Sequence, residues 1–320
     1  MTDVILDTDA DLLGAWNAVA GQTAAFADVL ALGARDFLAV ASAVSLRIQI
    51  AQDGTITTTP GTVTGDLKRV HGSAALLAAV GVNGAIRTST DAGATYTVRT
   101  AAASYSGTFS GVNVRNAYVV VAGAAGMVQR SVNAGAIFNQ INPDNGYTGD
   151  FTDIAGDGAG ALIFVGTGGE VQTSADDGAT LIKRALPGNY AGTLRAVAMT
   201  PAGFAVAVGD NGAIFTSSDR GATWAVKSAA GGFTGSFYGV AAVGRSVVAV
   251  GAGAQIQTST DGGETFTARL AGGGAAPRCA PSRSTRTSTA WRWATAARSS
   301  ARSGSRVRSR ASPSRPVSSA

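Results

Sequence analysis

The sequence predicts an all-β fold, a β-propeller of four-stranded blades, and three periodic landmarks predict it. A box of the pattern Ser-x-Asp-x-Gly-x-Thr-aromatic recurs with its serines at 89, 131, 174, 217 and 259. A second landmark, aromatic-x-Gly-x-(Phe/Leu)-x-x-(Val/Ile), begins at Tyr105, Tyr147, Tyr190 and Phe233, and Val63 to Leu67 opens the series. The third is an apolar run ending in glycine: Leu76 to Gly81, Tyr118 to Gly123, Leu162 to Gly166, Phe204 to Gly209 and Val247 to Gly251. A fixed period of about 42 residues marks a stacked or radial array. Four strands in that length make one propeller blade.

Within a repeat the elements follow in order. The second landmark opens a strand, and the apolar run is the next one. A short alternating stretch such as Gly212 to Thr216 is the third, and Thr223 to Lys227 is the fourth. Gly, Asn and Asp punctuate them as turn formers, and glycine at 43 positions disfavours helix. The box falls at the turn between the third and fourth strands. Its Asp is placed to accept backbone N–H groups just ahead of it, and its Gly can take the positive φ of the bend. Asp91, Asp176, Asp219 and Asp261 hold that position, and Asn133 replaces it in the second box, where Ile137 also replaces the Thr. That box is expected to be the loosest.

These landmarks resemble the Asp-box (BNR) repeat propellers found in sialidases and in the photosystem II stability/assembly factor family. The resemblance spans about residues 63–271 in five copies. It implies that the box is a structural turn on the face away from the ligand site. Asp91, Asn133, Asp176, Asp219 and Asp261 are therefore expected to be structural and not catalytic.

Residues 1–43 fall outside the repeat. Leu12, Trp16, Val19, Thr23, Phe26, Leu30, Gly33 and Phe37 are spaced alternately by four and three, a heptad pattern. Residues 1–43 are accordingly expected to form a helical extension that packs on the propeller or self-associates as a stalk. No secretory signal and no apolar span of 18 residues is recognisable, so a virion or cytoplasmic location is expected. Ile48 to Thr58 reads as a hairpin about Asp53-Gly54, a type I′ signal. It is expected to supply outer strands of the closing blade, whose inner strands the translated chain would lack. The propeller domain is thus 44–272, with six or seven blades in the parent protein.

Residues 273–320 hold ten Arg and no Lys, Asp or Glu. Such composition is expected to be disordered. Read one nucleotide earlier, however, codons overlapping Arg278 to Ser282 can encode Thr-Leu-Arg-Ala-Val, the string at Thr193 to Val197. Codons overlapping Trp291 to Ser300 can encode Val-Ala-Val-Gly-Asp-Gly-Gly-Ala-Ile-Phe, against Val206 to Phe215. Both lie 85 residues beyond their visible counterparts, two repeats away. A frameshift near residues 272–274 is the expectation. The formal +5 of the chain comes from this segment: residues 1–272 carry 15 Lys+Arg against 20 Asp+Glu. Nucleic acid is therefore not an expected partner.

Catalytic chemistry is sparse. Cys279 lies in the tail, and His71, the single histidine, reads as a polar turn residue. Glu170 and Glu264 are the only glutamates, and no arginine triad converges. No catalytic residue, metal site or cofactor is expected. The expected function is a non-catalytic binding or structural module, virion- or phage tail-associated, contacting a protein or surface glycan. A sialidase-like glycoside hydrolase and a protein-complex assembly factor are the alternatives. Asp144, Asn145, Asn189 and Asp210, on inter-blade or tight loops, are the candidate ligand contacts.

Overall fold

The structure, a computed structural model, describes residues 27–269 except residue 54. Sheets follow one another as antiparallel meanders in chain order. Blade II takes the end of β3 (Ile56–Ser73) with β4 (Leu76–Gly81), β5 (Ile86–Ser89) and β6 (Thr97–Arg99). Blade III is β7 (Phe109–Arg115), β8 (Tyr118–Gly123), β9 (Val128–Ser131) and β10 (Asn139–Ile141). Blade IV is β11 (Phe151–Gly156), β12 (Leu162–Gly166), β13 (Val171–Ser174) and β14 (Ile182–Lys183). Blade V is β15 (Leu194–Met199), β16 (Ala205–Gly209), β17 (Ile214–Ser217) and β18 (Ala225–Lys227). Blade VI is β19 (Phe237–Val243), β20 (Ser246–Gly251), β21 (Ile256–Ser259) and β22 (Thr267–Arg269). The first strands β3, β7, β11, β15 and β19 pack side by side and form the inner wall.

The second strands of blades II to V are buried on both faces, which is why they read as unbroken apolar runs. One face of each packs on the blade before and the other on the blade after. Val120, Ala122 and Val128 of blade III meet Phe151, Ile154 and Phe164 of blade IV. Ile163, Val165 and Val171 then meet Leu194, Val197 and Trp224 of blade V. The last residue of each box, Tyr96, Phe138, Leu181, Trp224 or Phe266, therefore belongs to an inter-blade core.

A further blade precedes these. β1 (Asp28–Gly33) pairs with β2 (Asp36–Ile50), and β2 pairs with the first half of β3. A straight run from Asp36 to Ile50 would measure about 45 Å. Yet the Ile50 N–H donates to the Arg35 carbonyl at 2.8 Å, and the Arg47 guanidinium grips the Asp36 carboxylate. The chain therefore doubles back inside β2, and β1, the two halves of β2 and the start of β3 make blade I. Leu38 and Val40 pack on Leu67, Val70 and Leu77 of blade II.

This corrects the N-terminal reading. Residues 28–33 and 36–43 are strands joined by a turn; residues 1–26 of the expected helix lie outside the described residues. Leu30, Gly33 and Phe37 mimic heptad spacing because a strand, a turn and a second strand place apolar side chains at similar intervals. The inner strands thought to be missing are β1 and the start of β2. The hairpin exists, with Ile48 opposite Thr58, but strands end at Ile50 and resume at Ile56, so its connection is longer than a two-residue turn. His71 lies within β3 and not in a turn.

Candidate functional site

Two sets of backbone ties define the two ends of the propeller. At one end each box meets the first turn of its own blade: the N–H groups of Ala134, Asp177, Arg220 and Gly262 donate to Ala117, Gly160, Gly203 and Arg245. At the other end each second turn meets the linker to the following blade. There Gly84, Gly126, Gly169 and Gly212 donate to Gly107, Gly149, Gly192 and Gly235.

The box end is structural in its bonding. Asp219 Oδ1 accepts from Ser217 Oγ at 2.7 Å and from the Thr223 N–H at 2.9 Å, and its Oδ2 takes the Thr223 hydroxyl at 2.6 Å. Asp91, Asp176 and Asp261 repeat the set. Hydrogen bonds from Thr95 and Ser89 hold the Asp91 carboxyl at about 2. Asn133 keeps the Ser131 and Ile137 bonds at 2.8 and 2.9 Å; with isoleucine at 137 there is no hydroxyl for the remaining one.

The linker end carries the polar variety. Short 3-10 turns precede blades III to VI, and in three of these blades a glutamine of the third strand grips the turn. Gln129 bonds Ala102, Gln172 bonds Asp144 and Gln257 bonds Ala230, each through the backbone N–H and C=O. Blade II has no such turn, since β3 passes straight from blade I into it. Arg87 stands at the glutamine position, and a cleft of about 430 Å³ opens there, lined by Gly65, Asp66, Arg87, Arg99 and Tyr105. Arg87 donates to the Ile86 carbonyl and to Thr64 Oγ1, and burial lowers its pKa. Val98 beside it is 64% exposed.

Each inner strand of blades II to VI carries a bulge one residue after its Leu or Phe anchor. The bulged residues are Lys68, Ser110, Thr152, Arg195 and Tyr238. They were legible only as the unspecified position in the second landmark, since nothing in a sequence marks a bulge there. Arg195 lies over the Tyr238 ring at 5.5 Å and donates to Asp210. Thr152 Oγ1 donates to the Leu194 carbonyl at 2.6 Å, joining blades IV and V.

All four sequence candidates sit at the linker end, but on three separate turns and not in one pocket. Asp144 and Asn145 lie in the 3-10 turn before blade IV, Asn189 in the one before blade V, and Asp210 in the second turn of blade V. Asp144 is tied down by Gln172 and by the Lys183 N–H at 2.8 Å. Asn145 and Asn189 are exposed and take positive φ in their turns. Burial raises the Asp210 pKa, but the Arg195 and Ser236 hydrogen bonds outweigh it and bring the carboxyl below its ordinary value. Both glutamates are paired with lysine, Glu170 to Lys183 and Glu264 to Lys227, each at 2.7 Å. Among the described residues no three His, Cys, Asp or Glu gather as a metal cluster, and no helix is long and apolar enough to cross a membrane.

Blades, boxes and a polar linker end define a BNR-type β-propeller. The chain belongs to the family described as photosynthesis system II assembly factor YCF48, whose profile matches residues 66–228. Solved structures of similar fold include "YCF48 bound to D1 peptide", at 17% identity over 78% of this chain and 82% of that one, TM-score 0.61. "YCF48 from Cyanidioschyzon merolae" is similar at 16% identity over 77% and 85%, TM-score 0.60. The WD40 propeller domain of Doa1 is similar at 11% identity over 78% and 84%, TM-score 0.62. No protein of curated function matches the sequence.

Proposed function

We propose that the chain is a non-catalytic assembly-type module that holds an extended segment of a protein partner at its linker end. The family supports this reading, and so does the peptide bound to YCF48 in one structure of similar fold. One observation carries it: the cleft at blade II lies where other blades receive a linker of the chain itself. A foreign extended segment can take that place. Its backbone would run past Arg87, an acidic group would offset the guanidinium, and an apolar side chain would cover Val98. Asp144, Asn145, Asn189 and Asp210 are rim contacts in this reading.

A panel of labelled extended peptides, acidic and neutral, tests it by fluorescence polarisation. Acidic peptides bind, and Val98→Asp or Arg87→Glu weakens them at least about tenfold, equivalent to 1.4 kcal/mol, with an unchanged melting curve. Equal binding by both variants removes the site, and no binding by any peptide removes the function. Hydrolysis of a fluorogenic sialoside would favour the glycosidase alternative. A virion- or tail-associated role, with a glycan as partner and self-association through the N-terminal segment, rests on sequence character alone; neighbouring tail genes would favour it.

A further inference from the structure

Each blade offers the next an apolar triad from its second and third strands: Ala78, Val80 and Ile86 in blade II, then Val120, Ala122 and Val128, then Ile163, Val165 and Val171, then Val206, Val208 and Ile214. The following blade covers the leading member in every case, and Leu38, Ala78, Val120, Ile163 and Val206 are 0 to 2% exposed. Blade VI presents the same triad as Val248, Val250 and Ile256. Here Val250 and Ile256 stay buried at 6% and 3%, but Val248 is only half-buried, and Val243 at the end of β19 is 60% exposed. No strand of another described blade packs on β20 as its counterparts' successors do, and β19 and β1 make no packing like that between neighbouring inner strands. On the far side, Val29 and Phe37 of blade I are half-buried and cluster with Ala39 away from blade II.

Both faces have the apolar character that another blade would cover, and the tail codons read one nucleotide earlier can encode its side chains. The hidden Thr-Leu-Arg-Ala-Val matches Thr193 to Val197, whose Leu194 and Val197 cover the triad of blade IV. The hidden Val-Ala-Val-Gly-Asp-Gly-Gly-Ala-Ile-Phe contains the Val, Val and Ile that Val206, Val208 and Ile214 use to meet the next blade. Its position, two repeats after blade V, is the position that follows blade VI. As translated, residues 273–320 carry ten arginines and no acid, with none of the apolar runs that build a second strand here.

We propose that the face of blade VI around Val248 is the seat of a seventh Asp-box blade, encoded one nucleotide out of frame with residues 273–320, which closes the ring onto Val29 and Phe37. The partner of this surface is that blade and not another protein.

The test begins with the DNA across codons 268–320. The −1 frame must run without a stop through the two hidden strings. The full chain and a frame-restored chain are then compared, each with and without Val248→Asp. The restored chain is expected to melt about 5 °C or more above the present one and to bind less of an apolar-surface dye. Val248→Asp is expected to be tolerated in the present chain and to cancel the gain in the restored one. A stop in the hidden frame, a restored chain no more stable than the present one, or equal tolerance of Val248→Asp in both overturns the proposal. So does a stable dimer of the present chain that Val248→Asp dissociates, since a second copy would then own the face.

Discussion

His71 Nδ1 accepts the backbone N–H of Val114 at 2.9 Å, joining the inner strands of blades II and III. Asp28 does the same for Val70 and Asp153 for Val197, each at 3.1 Å. Side-chain acceptors thus tie neighbouring inner strands at three blade junctions, two aspartates at equivalent positions and the histidine two residues further along. An imidazole can accept here only while neutral, with its proton on Nε2. Burial pushes its pKa down to about 4.

A pH prediction follows from that bond. Between the ordinary histidine value near 6.5 and about 4, the unfolded chain binds a proton that the folded chain refuses. Stability therefore falls as pH drops through this window. Urea midpoints at pH 7 and pH 5 measure it. His71→Asn keeps an acceptor without the titration, so its midpoint is lower at pH 7 but drops less on going to pH 5. An equal drop in both proteins would contradict the assignment. The box aspartates, with lowered values, lose their contribution only below about 4, outside the window.

The incomplete box can be completed. Asn133→Asp with Ile137→Thr supplies the missing carboxylate–hydroxyl bond, and Ile137 is 63% exposed, so little burial is lost. The pair is expected to stabilise by about 1 kcal/mol, and the two changes are expected to be coupled. Asp219→Ala should cost about 1 kcal/mol for the lost hydrogen bonds, since the Thr223 donors are exposed to water. Thermal melts of five proteins decide both points: the unaltered chain, the two single variants at 133 and 137, their combination, and Asp219→Ala.

Trp224 fills the core between blades IV and V and donates from Nε1 to the Gly221 carbonyl at 2.9 Å. Trp224→Phe should lose about 1 kcal/mol for the hydrogen bond, and Trp224→Ala about 3–5 kcal/mol for the cavity. Denaturant titration separates the two.

Blade I has its own test. Leu38 is fully buried against blade II, so Leu38→Ala should destabilise by about 2–5 kcal/mol. A helix lying on the outside of the propeller would tolerate it. Gly93 offers a second probe, because a Cβ there would meet Leu38 Cδ1 at 2.7 Å while φ is +86°. Gly93→Ala should be poorly tolerated for both reasons.

Legibility differed sharply along the chain. The boxes were readable because their chemistry is local: Ser217, Asp219, Gly221 and Thr223 satisfy one another within seven residues. The second strands were readable as runs, since burial on two faces removes alternation. Blade I was hidden because its third-to-fourth strand turn carries Ala51, Gln52 and Asp53 with no serine, and because Leu30 to Phe37 can be scored on either period. The cleft was hidden for another reason. It arises from a linker that blade II lacks, and Arg87 gains meaning only beside Gln129, Gln172 and Gln257 in space.

The bonds from Gly84, Gly126, Gly169 and Gly212 to the linker glycines carry an evolutionary consequence. Each tie reaches from one unit into the next with the same donor, acceptor and spacing. Excising any window of one period therefore leaves a junction chemically equivalent to the original, wherever the cut begins. Unequal recombination can lengthen or shorten such a gene without inventing a new seam, so the number of units is set by how the circle closes and not by the joints between them.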